Sequence, residues 1–194
     1  MANKIKYGLC NVHIATCTIG STGAATYATP VAVPGAVSMS MDAQTEETVF
    51  HADNRRYYET KSNNGYSGNL TLARLPKNIK TALLGELVDS KGFLIESQDA
   101  QPVPFALLFQ FEGDVSATRH VLYNCLAGRP SVSGETKGNI IEPQTEELSV
   151  SAGSVYNSSL DKWLVKASSD EGTDATSYNS FFSAVYQPAA LATP

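Results

Sequence analysis

The sequence predicts a mainly β protein: a β-sandwich or open barrel with one flanking α-helix and a short C-terminal helix. Apolar and polar residues alternate along six or more short runs, the pattern of antiparallel sheets with one wet face. Gly- and Asn-rich turn signals separate these runs, and only two segments carry helical spacing. At 194 residues the chain suits a single domain, 1–194, with a core of its own and an extended arm.

Residues 7–41 contain no Asp, Glu, Lys or Arg and are rich in Thr, Ser, Ala, Gly and Val. Uncharged, half-polar strands invite edge pairing that monomers normally block with charge. The segment is therefore expected to pair or pack between chains, with Val12, Ile14, Val31 and Val33 as its candidate contact residues. An ordinary buried hairpin is the competing reading, because β cores also exclude charge.

Alternation then recurs at Val37, Met39 and Met41, at Leu70 and Leu72, and at Phe105, Leu107, Phe109 and Phe111. It continues at Val121, Tyr123 and Cys125, at Leu148, Val150 and Ala152, and at Trp163 and Val165. Turns are expected at Asn63-Asn64-Gly65, Asp89-Ser90-Lys91-Gly92 and Gly134-Glu135. The first helix is expected from Pro76 to Leu87, with Ile79, Leu83 and Leu87 on one stripe and Pro76 in its first turn. The second would be capped by Thr173 or Asp174, carry Tyr178, Phe181, Phe182 and Val185 on one face, and stop at Pro188.

Residues 42–65 break the core pattern, crowding Asp42, Glu46, Glu47, Asp53, Arg55, Arg56, Glu59 and Lys61 together. Such a long polar excursion is expected to be an arm reaching a neighbouring subunit, with its tip near Ser62-Asn63-Asn64-Gly65. Arg55, Arg56, Tyr57 and Tyr58 are its candidate contact residues, the arginines docking on an acidic partner surface. A second Glu-rich excursion runs over residues 134–147.

Composition excludes several functions. Hydrophobic residues make up 42% and charged residues 17%, the latter well below the roughly 25% of ordinary soluble domains. A net charge of -5 leaves no basic footprint for gripping nucleic acid. The three cysteines, Cys10, Cys17 and Cys125, argue for a reducing compartment and against a disulfide framework. Lys4 and Lys6 precede an uncharged stretch, but polar residues interrupt it before an apolar leader core can form. No segment approaches the roughly 20 apolar residues of a membrane span, so a cytoplasmic, membrane-free protein is expected.

No catalytic, cofactor or metal site is expected. Cys10-x-x-His13-x-x-x-Cys17 lacks a nearby fourth ligand. His51 and His120 have no Gly-x-Ser-x-Gly partner, and Ser154 lacks a nucleophile elbow. Gly20-Ser21-Thr22-Gly23 has no lysine at P-loop spacing.

The run Asn63-Asn64-Gly65-Tyr66-Ser67-Gly68-Asn69-Leu70-Thr71-Leu72-Ala73 resembles the major tail (tail-tube) proteins of siphophages infecting Gram-positive bacteria. So do Tyr7-Gly8-Leu9-Cys10-Asn11-Val12-His13, the stretch over residues 105–123, Gly128-Arg129-Pro130-Ser131, and the aromatic set Tyr178, Phe181, Phe182 and Tyr186-Gln187-Pro188. The likeness extends over roughly residues 5–188 and lies in its extent rather than in any one motif. It implies two packed sheets with a flanking helix, the tube fold shared with type VI secretion tube proteins. It also implies hexameric rings that stack into a hollow virion tail, assembled in the host cytoplasm. The implied partners are further copies of the chain, a tape measure protein, and terminator or baseplate proteins. DNA would pass the lumen without specific binding, which an acidic wall favours by repelling phosphate. Three other readings stay open: a β-sandwich glycan-binding module, a tube or baseplate component of a phage-tail-like bacteriocin, and a hydrolase using His51 or His120.

Overall fold

A computed structural model describes residues 3–136, 143–169 and 172–191. The strands are β1 (Lys6–Ile19), β2 (Ala25–Tyr27), β3 (Val31–Ala32), β4 (Ala36–Ala52) and β5 (Arg55–Leu72). After helix α1 (Lys77–Leu84) come β6 (Leu87–Val88), β7 (Leu94–Ile95), β8 (Phe105–Gly113) and β9 (Thr118–Ala127). The chain continues with β10 (Glu146–Gly153), β11 (Val155–Asn157), β12 (Lys162–Leu164), β13 (Lys166–Ser168) and helix α2 (Ala175–Ser180). The protein is mainly β.

Nine strands form one antiparallel sheet in the order β2-β1-β8-β9-β10-β5-β4, with β13 added to β9 and β3 to β1. The sheet curls until β4 and β1 approach one another, giving an open barrel whose seam is crossed by residues 31–35. There Val33 N–H donates to the Val12 carbonyl at 2.8 Å, and Ala73 N–H to the Gly35 carbonyl at 2.7 Å. Register shifts in β1 between Tyr7 and Leu9, and between Cys10 and His13, tighten the curl.

The alternation read from the sequence explains which side chains fill the barrel. Phe105, Leu107 and Phe109 meet Leu70, Leu72, Leu122, Leu148, Val150 and Ala152 inside it, and Ile79, Leu83 and Leu84 of α1 close one end. Ser149 and Ser151 point the other way, as period two demands. Strands β8 and β9 are buried on both faces, whereas the sequence pattern predicts one wet face. A second layer covers the outside of the sheet, where Ala106, Leu108, Val121 and Tyr123 pack with Val155 and Phe181. Leu107 and Leu108 are both fully buried, and each contributes roughly 1.5–3 kcal/mol of apolar transfer energy. One curled sheet with a lid thus replaces the two sheets that the resemblance implied.

Both helices are shorter than expected. Pro76 is the N-cap of α1 rather than part of its first turn, and Gly85 ends the helix with φ +69°. Leu87 therefore leaves the helical stripe and lies exposed in β6. Asp174 caps α2, accepting from Ser177 N–H at 2.8 Å. The helix ends at Ser180, so Phe181, Phe182 and Val185 pack from the following turns.

The turn expected at Asn63-Asn64-Gly65 lies within β5, and the chain reverses instead at Asp53 and Asn54, both with positive φ. Two successive left-handed residues match the twist of a tight hairpin. Asn64 and Gly65 form a bulge between the Ala43–Tyr66 and Thr45–Asn63 pairs. Gly65 N–H donates to Asn63 Oδ1 at 3.1 Å, and a Cβ at Gly65 would sit 1.9 Å from the Ala152 carbonyl oxygen. The Asp89 turn forms as expected, its carboxylate accepting from Lys91 N–H (2.9 Å) and Phe93 N–H (2.7 Å). Gly134 and Glu135 have no regular structure, and the remainder of the 134–147 excursion lies partly outside the described residues.

Candidate inter-subunit surface

Strand β10 pairs with β5 only over residues 66–72, so beyond Tyr66 the β4–β5 hairpin has lost its third strand. Residues 45–63 continue outward as a two-stranded arm, exposed along nearly all its length. The eight residues 45–52 of β4, at about 3.3 Å each, carry the tip roughly 26 Å from the body. Two strands alone bury too little to be stable without support, and both edges of the arm offer unpaired backbone groups to another chain.

The arm has two unlike faces, because cross-strand partners share a side. Glu47 opposite Lys61 and Val49 opposite Glu59 occupy one. There Arg56 pairs with Glu47 and, at 3.7 Å, with Glu59, while Lys61 lies 3.8 Å from Glu47 and 4.0 Å from Glu59. These side chains are exposed, so each pair is worth about 0–1 kcal/mol. Thr48 opposite Thr60 and Phe50 opposite Tyr58 occupy the other face. Tyr57 is the extra residue of a bulge and sets its ring edge-on to Phe50 at 6.5 Å. Phe50, Tyr57 and Tyr58 are 59%, 67% and 58% exposed, an aromatic cluster of the kind that anchors interfaces.

The structure divides the expected contact residues. Tyr57, Tyr58, Arg55 and Arg56 all lie on the arm, but Arg56 is neutralised within it and is not held out for an acidic partner. Val31 is exposed, whereas Val12, Ile14 and Val33 are only 3–4% exposed and belong to the chain's own core. Those three are not contact residues of this conformation; β1 is taken up by β8, β2 and β3. A second exposed apolar surface, Leu87, Val88, Phe93 and Ile95 on the β6–β7 hairpin, escaped the sequence reading. Gly85 was its signal: a helix stop there frees Leu87 to begin a strand.

Cys10, His13 and Cys17 sit on β1, His51 on β4, and His120 and Cys125 on β9. Among the described residues no group of three or more His, Cys, Asp or Glu could hold a metal ion. Cys17 is buried, which pushes its thiol up to about 11. His13 stacks on Phe182 at 4.7 Å and bonds the Asn11 carbonyl through Nδ1. His120 stacks on Phe109 at 5.1 Å and meets Phe111 edge-on. Burial, with Lys166 and Lys6 nearby, lowers its pKa to about 4, so it is neutral at pH 7. His51 lies on the arm. No described helix is long and apolar enough to cross a membrane.

No protein-family model and no curated protein matches the chain. Among solved structures, the tube-terminating cap of the anti-feeding prophage is similar over 88% of this chain and 95% of that one. The identity is 10% and the TM-score 0.44, a level of likeness that carries no functional inference.

Proposed function

We propose that this chain is a structural, non-enzymatic subunit of a phage-tail-type tube, assembling with copies of itself in stacked, hexameric rings around a bore that DNA traverses. The observation that carries the reading is the arm: residues 45–63 form a fully projecting hairpin with two open edges and an aromatic tip. A monomer gains nothing from such an element and risks aggregation by it. Low charge content points the same way. Charge of -5 suits a bore that must not hold phosphate. Tape measure, terminator and baseplate proteins are the further partners, and the virion tail the location, on this reading.

Negative-stain microscopy of the purified protein, alone and with an assembly initiator, tests the proposal. Replacing residues 46–62 by Asn-Gly retains the Thr45–Asn63 pair and removes the rest of the arm. The parent chain is expected to form tubes of uniform diameter. The shortened chain should fold, by circular dichroism, and form none. Tubes of normal length from the shortened chain, or a parent chain that stays monomeric and binds a glycan saturably, would overturn it.

A further inference from the structure

The arm points away from the end of the barrel that carries the β6–β7 hairpin. Beyond Tyr66, which is level with Cys125 and Phe105 through Ala152, the arm runs in the direction in which β8 reaches Gly113 and from which β9 starts at Thr118. The opposite direction leads to the second end of the barrel, where β9 stops at Ala127, β5 stops at Leu72 and α1 closes the core. The β6–β7 hairpin is fastened to this second end. Arg129, just past β9, pairs with Glu96 at 2.8 Å and donates to the Ser97 and Ala100 carbonyls at 3.3 Å each. Lys77 of α1 donates to the Gly92 carbonyl at 2.5 Å.

One face of that hairpin is apolar. Leu87 pairs with Ile95, and Asp89 N–H donates to the Phe93 carbonyl at 3.0 Å, which brings Leu87, Phe93 and Ile95 to the same side. They are 60%, 68% and 45% exposed, although the hairpin is held in place beneath them. Asp89 and Glu86 border the face and form no ion pair with the described residues. On the arm tip, beside Tyr57 and Tyr58, Arg55 likewise has no described acidic partner.

We infer that the β6–β7 face receives the arm tip of another copy of this chain, Phe50, Tyr57 and Tyr58 covering Leu87, Phe93 and Ile95 while Arg55 meets Glu86 and Asp89. This rests on the tube reading and specifies its axial contact. Complementary patches, one on an arm that points away from the end bearing the other, make a heterologous, head-to-tail contact, which propagates as a stack when its rotation does not close. The apolar areas match in kind, and the unpaired charges are opposite in sign. An arm-to-arm contact would instead bring Arg55 against Arg55 and leave the second patch bare.

Disulfide trapping tests it. Tyr58→Cys and Phe93→Cys are made as separate proteins, each with Cys10→Ser to remove the half-exposed native thiol. Mixed under assembling conditions and oxidised, they are expected to give a mixed dimer that neither forms alone. Phe93→Asp in the parent chain should raise the concentration needed for assembly at least about tenfold, as loss of a central aromatic anchor does. Tubes that form without the mixed dimer, or Phe93→Cys coupling to itself, overturn the inference and leave the tube reading standing. Failure of the parent chain to assemble at all overturns both.

Discussion

The guanidinium carbon of Arg119 lies 3.8 Å from the centroid of the Tyr178 ring, and the same guanidinium donates to the Tyr178 carbonyl oxygen. Its Nε reaches Gln110 Oε1 at 3.0 Å, and the Phe182 ring lies 5.1 Å away. One side chain on β9 thus holds the C-terminal segment against the sheet. Arg119→Ala is expected to cost about 2 kcal/mol, combining a stacked cation with charge-assisted hydrogen bonds. Arg119→Lys should recover little of it, because an ammonium cannot stack flat and donate in two directions. Urea unfolding measures both, and amide exchange at residues 175–182 should accelerate in each variant. Unchanged exchange there would show that the packing of Phe181, Phe182 and Val185 secures the segment without Arg119.

Gly68 sits where β5 passes against β4, and a Cβ there would lie 1.9 Å from the Ser40 carbonyl oxygen. Backbone, not a movable side chain, blocks the space. Gly68→Ala is therefore expected to destabilise by about 2–4 kcal/mol through strand displacement. Gly134→Ala, with nothing near its added methyl, serves as control and should stay within about 0.5 kcal/mol. Equal midpoints for the two variants in thermal melts would contradict the packing described for β5.

Tyr123 is 1% exposed, and its hydroxyl has no hydrogen-bond partner among the described residues. Burial raises its pKa well above the ordinary phenol value. Tyr123→Phe removes a desolvated oxygen and keeps the ring, so stability should rise, by about 1 kcal/mol. A loss of stability on calorimetry would mean the hydroxyl is satisfied after all.

His120 titrates at about 4 in the folded chain, against an ordinary value of 6.5. Between those values the unfolded chain binds a proton that the folded chain refuses. Stability is thus fully present above pH 6.5, falls as pH drops towards 4, and stops falling from this cause below it. His120→Leu should flatten the pH dependence of Tm between 6.5 and 4 while leaving the region above pH 7 unaltered in slope. Parallel curves for parent and variant across pH 4–6.5 would assign the acid sensitivity elsewhere.

Much of the fold was legible in residue pattern alone. The alternations at Leu70 and Leu72, and at Leu148, Val150 and Ala152, became barrel-facing strands because period two admits one burial solution once a face is apolar. The Asp89 turn and the Asp174 cap were legible for the same local reason: each closes its own hydrogen bonds within a few residues. The polar stretch 42–65 was legible as an excursion, but its tip was not. Asn63-Asn64-Gly65 and Asp53-Asn54 are both turn chemistry. β10, pairing with residues 66–72 far along the chain, made the first a bulge and left the second to reverse the strand. Periodicity also cannot say whose core an apolar face enters. Val12, Ile14 and Val33 read as surface for another chain until the curl of the sheet turned them inward; Leu87 read as core until Gly85 released it. Local hydrogen bonding and side-chain period are written residue by residue. Which strand lies next to which, and hence which apolar face is left uncovered, depends on contacts between distant residues that only the closed barrel brings together.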